Sequence, residues 1–508
     1  MVETKMMPIK TEEDGDDADA DGMVKVDISD TNGPDKESLY LLKDQKKSSS
    51  GEEVNTRPNE NKMKIFIISA VLGNILAWYD FGVFASFSSE LSRAFFTGGR
   101  LVEMLKVYGV FAAAFFARPL GGFVLGLIGD KFARTISLQI SVVAMGFSAL
   151  FIACLPTNSV GAYKIGPAAT VLLVSARIVQ GLSTGGEMVG SMLYMVENVP
   201  ETSKCLVSAI PMASAIAGTG TGYLVAAIIT AITTEEQRVL WGWRVAFALG
   251  VPAGLVGFMF RSCLCESHSF SEASKSFAKM HGNQHPYFYA SRKCFRQLFV
   301  ILFLCMLVCG FYSGTVWYNE AWLEEFYTEL VGEERKLSKL QGRTINTIML
   351  WTSQAGGTLL AALYVDRNPQ RSLHSYIIYS CAALVFISPV ALWLTSFGRE
   401  CVPCVVAGQF LSISFFTFTV ATLAFWLTTE FPSTLQYTSI ALSYNFGQAF
   451  FGGTVPFIAT QISSQSPDIL APSYYLSAMA LMGALAMLVG RLGCVRKMHQ
   501  KLNFVMTH

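Results

Sequence analysis

Charge is what this chain has least of. Only 15% of its 508 residues are Asp, Glu, Lys or Arg, and the formal net charge is +1. That balance supplies neither the basic field that nucleic acid requires nor an acidic field for a cationic partner, so nucleic acid is excluded. Histidine is scarce at 6 residues, and no Cys/His group has metal-ligand spacing, so neither a metal nor another cofactor is expected. The 11 cysteines are scattered, several of them within apolar runs (Cys305, Cys309, Cys381) where a thiol serves as a small hydrophobe. Cys401 and Cys404 flank Pro403 in an expected outer loop, and their spacing is read as coincidence rather than as a disulfide. No Ser/Lys dyad, His/Asp hydrolase pair or metal-binding His pair shares a helix face, which argues against an enzyme. The first residues are polar and charged, so a cleaved signal peptide is not expected.

Apolar residues fill the space that charge leaves. They make up 52% of the chain, mean hydropathy is +0.41, and the solvent implied is lipid. Residues 1–62 are the exception: rich in Asp, Glu, Lys, Ser and Gly, they read as a disordered cytoplasmic tail. Within it, Glu37, Leu41 and Leu42 fit an acidic dileucine signal for a vesicle-sorting adaptor, against the plainer reading of a passive tail. From Lys64 onward, apolar stretches long enough to cross roughly 30 Å of hydrocarbon recur, and each must be helical because lipid leaves backbone polar groups no other partner. The spans are expected at 64–87, 105–128, 136–156, 168–194, 206–232, 242–261, 296–318, 344–366, 374–396, 402–428, 436–462 and 472–492. The fold class is therefore all-α membrane, with about twelve transmembrane helices in two halves. The bundles are 63–261 and 296–492, joined by a cytoplasmic connector at 262–295 and followed by a tail at 493–508.

Orientation follows the cations. Lys131 and Arg134, the connector cations Lys275, Lys279, Arg292 and Lys293, then Arg367 and Arg371, and finally Arg491, Arg496, Lys497 and Lys501 all fall on one side, which is the cytoplasm. The opposite connectors are short, mixed in sign or acidic, as in Glu324-Glu325 and Glu333-Glu334.

Gly126-Leu127-Ile128-Gly129-Asp130-Lys131-Phe132-Ala133-Arg134, on the inside after the second span, resembles the signature loop of the major facilitator superfamily, with Ala133 where Gly is usual. Further stretches resemble its metabolite:proton symporter family: Gly73-Asn74 through Ala77-Trp78-Tyr79-Asp80-Phe81, Arg118-Pro119-Leu120-Gly121-Gly122, Arg177 through Gln180-Gly181 to Gly185-Gly186-Glu187, Trp241-Gly242-Trp243-Arg244, and Tyr444-Asn445-Phe446-Gly447 through Pro456. The resemblance implies a major facilitator fold, and carriers of proline and betaine, α-ketoglutarate, citrate or shikimate as the substrate class. Ala77 stands where family members often carry Glu, and the chain after the last span is too short for the coiled coil of osmosensing members.

Ionisable side chains at depth are kept where they face a cavity or a partner. Asp80 and Glu187 are the proton-coupling candidates, and the reading open beside it is that they only neutralise neighbours and fix packing. Arg177, Gln180, Thr184, Glu187, Ser191 and Tyr194 recur at helical spacing on one inward face. Tyr79, Arg118, Gln180, Tyr312, Trp317, Asn445 and Gln448 are substrate-binding candidates, Arg118 for a carboxylate and the amides for hydrogen bonds. Aromatic residues would suit a quaternary ammonium, though they also fill helix interfaces. Asp130, Lys131, Arg134, Arg177, Asp366 and Arg367 form the expected gating charge cluster. Together these residues predict a carrier that moves a small organic solute with a proton by alternating access. A proton-independent uniporter and a non-transporting sensor are the alternatives, and the plasma membrane is the expected site, with an endosomal or vacuolar membrane as the other.

Overall fold

The computed structural model describes residues 60–507 apart from 133, 159, 161–163, 198, 200–202, 263–274, 276, 278, 281 and 283. The acidic tail up to residue 59, including Glu37, Leu41 and Leu42, lies outside the described residues. The membrane helices are α1 (Glu60–Ser86), α2 (Arg100–Lys131), α3 (Arg134–Ala153), α4 (Ala168–Glu197), α5 (Lys204–Ile232), α6 (Trp243–Ser262), α7 (Pro286–Leu330), α8 (Lys339–Arg367), α9 (Leu373–Thr395), α10 (Val402–Glu430), α11 (436–465) and α12 (Ala471–Gly490). Ten helices among the described residues are long and apolar enough to cross a membrane. α1 and α11 complete the set, α11 being split at 453–454 between Gln448–Gly452 and Val455–Gln465. The protein is a multi-pass membrane protein.

Local chemistry sets several starts. A Pro at the first position and the His285 ring, which accepts from the Tyr287 N–H at 3.2 Å, open α7. Ser338 and Gln341 form a reciprocal capping box at α8. Three segments near the middle of the second half widen into single π turns: Tyr318–Trp322 in α7, Leu350–Gly356 in α8 and Gln448–Gly452 in α11. Such turns insert an extra residue and re-aim the side chains around it.

Without water between them, lipid-embedded helices gain most from close packing, and small residues allow it. At the α2–α4 crossing, Gly121 and Gly122 face the Leu182 and Gly185 carbonyls, while Gly181 and Gly185 face those of Ala114 and Arg118. A Cβ on Gly122 would stand 3.0 Å from the Gly185 oxygen. α1 and α5 repeat the arrangement, where a Cβ on Gly218 would lie 2.9 Å from Ile75 Cα. The first six helices pack mainly on one another, as do the last six, and the two sets meet along α2–α11 and α5–α8.

Two expectations need correction. The seventh span does not end at 318, because its helix runs on to Leu330 and buries Glu320, Glu324 and Glu325 rather than leaving Glu324-Glu325 in an open connector. The hydropathy fall after Trp317 marks carboxylates turned into the protein, not an exit into water. Cys401 and Cys404 are joined in a disulfide with Cα atoms 5.2 Å apart. The turn Gly398–Cys401 and the start of α10 at Val402 bring the thiols together, which a spacing in sequence does not reveal. After α12 the chain forms a further helix, α13 (Gly493–Thr507), whose Val495, Leu502 and Met506 are buried and which packs against α7.

Gly181→Leu forces a side chain into the α4–α2 backbone contact, so it is expected to destabilise the fold by about 1–3 kcal/mol. Thermal unfolding of the purified protein measures this, with Gly109→Leu, where no atom lies within 4 Å of a built Cβ, as the silent control.

Candidate functional site

Helical spacing puts Arg177 and Gln180 on the face of α4 that looks at α1. The Gln180 amide donates to Asp80 Oδ2 at 2.5 Å and accepts from Arg177 Nη1, so one amide joins a carboxylate to a guanidinium. The Arg177 guanidinium lies over the rings of Phe84 and Phe81, 4.1 and 4.8 Å from their centroids. Asp80 Oδ1 has no hydrogen-bond partner among the described residues, and Asp80 lines a small cavity with Gly73, Ala77, Val142 and Gly250. Arg177 thus sits with Gln180 and Asp80 rather than in an inner charge cluster. Tyr79 points elsewhere: its hydroxyl donates to the Ala246 carbonyl at 2.7 Å, fastening α1 to α6. Glu187 is buried on α4 and accepts from the Ser141 hydroxyl of α3 at 2.7 Å.

The centre of the molecule is aromatic. Trp317 of α7 packs on Phe111, Phe115, Phe81 and Trp78, with ring centroids 4.9, 5.3, 6.1 and 6.1 Å away. Under this group lies the Arg118 guanidinium, 4.9 Å from the Trp78 ring and 5.0 Å from that of Phe115. It is fully buried, and none of its three nitrogens has a hydrogen-bond partner among the described residues. From α11, Gln448 accepts from the Ser313 hydroxyl at 2.5 Å and from Trp317 Nε1 at 3.4 Å. Asn445 donates to the Gly185 carbonyl at 2.6 Å, beside the glycine contact of α2 and α4, and its Oδ1 has no donor among the described residues. Tyr312 stacks on Phe416. The structure therefore gathers Arg118, Trp317, Gln448, Asn445 and Tyr312 around one centre, and sets Tyr79 and Glu187 apart from it.

Two layers of contacts close this centre. At the end of the bundle expected to be inner, Asp130 accepts from the Thr438 N–H at 2.9 Å and from its hydroxyl, at the start of α11. In the other half, Asp366 accepts from the Leu206 and Cys205 N–H groups at 2.8 and 3.2 Å, at the start of α5. Each carboxylate meets the positive end of a helix in the opposite half. Tyr437 reinforces the layer by donating to the Gly186 carbonyl at 2.9 Å. Lys131 extends over the Phe132 ring, and the side chain of Arg134 lies outside the described residues.

The outer layer is an ion-pair network that sequence reading missed. Glu90, in a short helix between α1 and α2, meets Arg343 of α8 at 2.9 Å and Arg238 at 3.2 Å. Lys339 pairs with Glu325 at 2.9 Å and Glu329 at 3.3 Å, and Arg100 reaches Glu329 at 3.5 Å. Burial raises the Glu90 carboxyl, but the Arg343 and Lys339 cations outweigh it and hold it below the usual carboxylate range.

Comparison with known proteins gives a consistent neighbourhood. A family model described as sugar (and other) transporter matches residues 66–287. A putative proline/betaine transporter of Staphylococcus aureus is 29% identical over 431 residues, covering 84% of this chain and 87% of that protein. The proline/betaine transporter of Escherichia coli is 26% identical over 434 residues, covering 84% and 83%. Among solved structures, the proton:xylose symporter XylE bound to 6-bromo-6-deoxy-D-glucose superposes with a TM-score of 0.67 at 18% identity, covering 85% of this chain and 96% of that one. A human organic anion transporter does so with a TM-score of 0.59 at 14% identity, covering 84% and 99%. These structures show the fold.

The outer network yields a measurable expectation. Because the Glu90 carboxyl is depressed, its pairing is complete above the unfolded value and is lost only as pH falls through the lower, folded one. Thiol labelling of a cysteine placed at Ser86 is therefore expected to stay slow across neutral pH and to rise only in strong acid. Glu90→Gln, which leaves Arg343 without its counter-charge, is expected to speed that labelling already at neutral pH.

Proposed function

We propose that this chain is a transporter of the major facilitator superfamily, not an enzyme, and that it carries a small organic solute together with a proton by alternating access. One observation carries the reading: Arg118 is a cation buried at the meeting of the two halves without an anion among the described residues. Removing a guanidinium from water costs several kcal/mol unless a partner compensates it. Aromatic faces offset part of that cost. A solute carboxylate, held by the parallel N–H groups of the guanidinium, would supply the rest. Relatives named for proline and betaine support an organic acid or a zwitterion as the cargo.

The proton belongs in this reading to Asp80. Its Oδ2 is engaged by Gln180 while Oδ1 has no partner among the described residues, the side chain lines the small cavity, and Gln180 links it to Arg177. A change of charge on Asp80 is thereby felt along α4, the helix locked against Arg118's own α2. Glu187 is the second proton candidate. The inner latches at Asp130 and Asp366 and the outer network at Glu90 supply the two doors, with Lys131, Arg134 and Arg367 near the inner one. A proton-coupled structural neighbour supports the coupling, and the bacterial origin of the relatives supports the plasma membrane. The proposed sorting signal at Glu37, Leu41 and Leu42 belongs to a tail outside the described residues.

The test is uptake of labelled proline, betaine and dicarboxylates into proteoliposomes with and without an imposed pH gradient. Wild-type protein is expected to accumulate one class only with the gradient inside-alkaline. Asp80→Asn is expected to abolish accumulation while sparing counterflow exchange, and Arg118→Ala to weaken binding on the order of 10- to 100-fold. Flux indifferent to the gradient would make the protein a uniporter, and binding without flux a sensor.

A further inference from the structure

Arg118 has an opposite number. On α7, one turn beyond Trp317, Glu320 is fully buried and forms no ion pair with any Lys, Arg or His among the described residues. Its Oε1 accepts from the Gln354 amide of α8 at 3.0 Å. Its backbone is pinned from two sides, the carbonyl accepting from Tyr223 Oη at 2.5 Å and from Asn346 Nδ2 at 2.9 Å, while Gln409 in turn holds Asn346 at 2.8 Å. These contacts hold the π turn Tyr318–Trp322 that turns the carboxylate inward.

On the same π turn the Tyr318 ring packs on that of Trp322 and Trp322 on Phe326, with Tyr318 Oη and Trp322 Nε1 unpartnered among the described residues, whereas the amide atoms left over are acceptors. Among the described residues, Gln354 Oε1 and Asn319 Oδ1 are buried without a donor and the Glu320 carboxylate without a cation. A buried cluster of this kind is short of N–H groups and of positive charge, the converse of what surrounds Arg118. Depth relates the two. Trp317 and Phe115 are in contact; Arg118 lies one turn below Phe115 on α2, and Glu320 one turn above Trp317 on α7. At the rise of a helix, this separates the charges by roughly 9 Å along the bundle. Between them stands the indole of Trp317, an aromatic face suited to a cationic group.

We infer that Glu320, with Trp317 and Gln354, is the subsite for the cationic end of the solute, so that the cargo is a zwitterion spanning Arg118 and Glu320 rather than an organic acid. The inference rests on the reading of Arg118 as the carboxylate anchor. An ammonium with N–H groups satisfies both the Glu320 charge and the Gln354 oxygen, whereas a quaternary ammonium satisfies the charge alone; a secondary ammonium is the better match. A dicarboxylate would set a second negative charge against Glu320 and is rejected.

The experiment compares proline with cyclopentanecarboxylate, its counterpart without the ammonium, as competitors of proline uptake in wild type, Glu320→Gln, Glu320→Asp and Arg118→Ala. Wild type is expected to prefer proline strongly. Glu320→Gln is expected to weaken proline on the order of 10- to 100-fold with cyclopentanecarboxylate unchanged or tighter, and Glu320→Asp to restore part of the preference. Arg118→Ala is expected to weaken both solutes alike. A preference for proline that survives in Glu320→Gln overturns the inference, as does a Glu320→Gln protein that keeps its affinity and loses only its dependence on the pH gradient. Wild-type protein that neither binds nor moves either carboxylate overturns the underlying reading as well, and so is told apart from failure at Glu320. Thermal unfolding of each variant, with an unchanged transition, shows that lost preference is not lost fold.

Discussion

Lipid supplies no counter-ion, so a charge that enters this protein has to find its compensation among the helices. How completely it does so varies with depth, and that variation organises the molecule. At the outer end, Glu90, Arg343, Arg238, Lys339, Glu325 and Glu329 neutralise one another across the halves. At the inner end, Asp130 and Asp366 accept from backbone N–H groups at the starts of helices in the opposite half. Between the two, Arg118 and Glu320 are buried without ion-pair partners among the described residues. The closed layers are self-sufficient, and the middle is left incomplete.

The incomplete middle depends on close backbone packing. Gly121, Gly122, Gly181 and Gly185 bring α2 and α4 together, and beside this contact the guanidinium of Arg118 packs on the Trp78 ring of α1 and the Phe115 ring of its own helix. Asn445 then crosses from α11 to bond the Gly185 carbonyl, tying the second half to the same point. In the second half the π turns of α7, α8 and α11 do the equivalent work, delivering Glu320, Gln354 and Gln448 inward. The two halves thus reach the centre by different means: one by removing side chains, the other by inserting residues.

Much of this was legible in the sequence. Apolar run length located the helices because lipid tolerates little else, and Asp80, Arg118 and Gln180 stood out because charge and amide at depth are rare. What was hidden had physical causes. Glu320 follows Trp317 in a stretch whose hydropathy falls as steeply as it would at a membrane surface, and only the partners on α5 and α8 distinguish burial from exit. Tyr79 carries a hydroxyl that a sequence cannot aim, and it serves α6. Arg177 looked like a member of the inner charge cluster until its neighbour three residues on proved to bridge it to Asp80. The partners of Asp130 and Asp366 are backbone groups at helix starts, which leave no mark in residue types.

The bond between Cys401 and Cys404 has a use beyond its loop. Protein disulfides persist where the surroundings are oxidising and are scarce in the cytosol. Cys494, just past the far end of α12, is an exposed free thiol. Cys154, just past the end of α3, is exposed and free as well, so it is the crosslink and not the free sulfurs that can mark a face: whether a reductant confined to one side of the membrane opens it reports which end of the bundle that side meets.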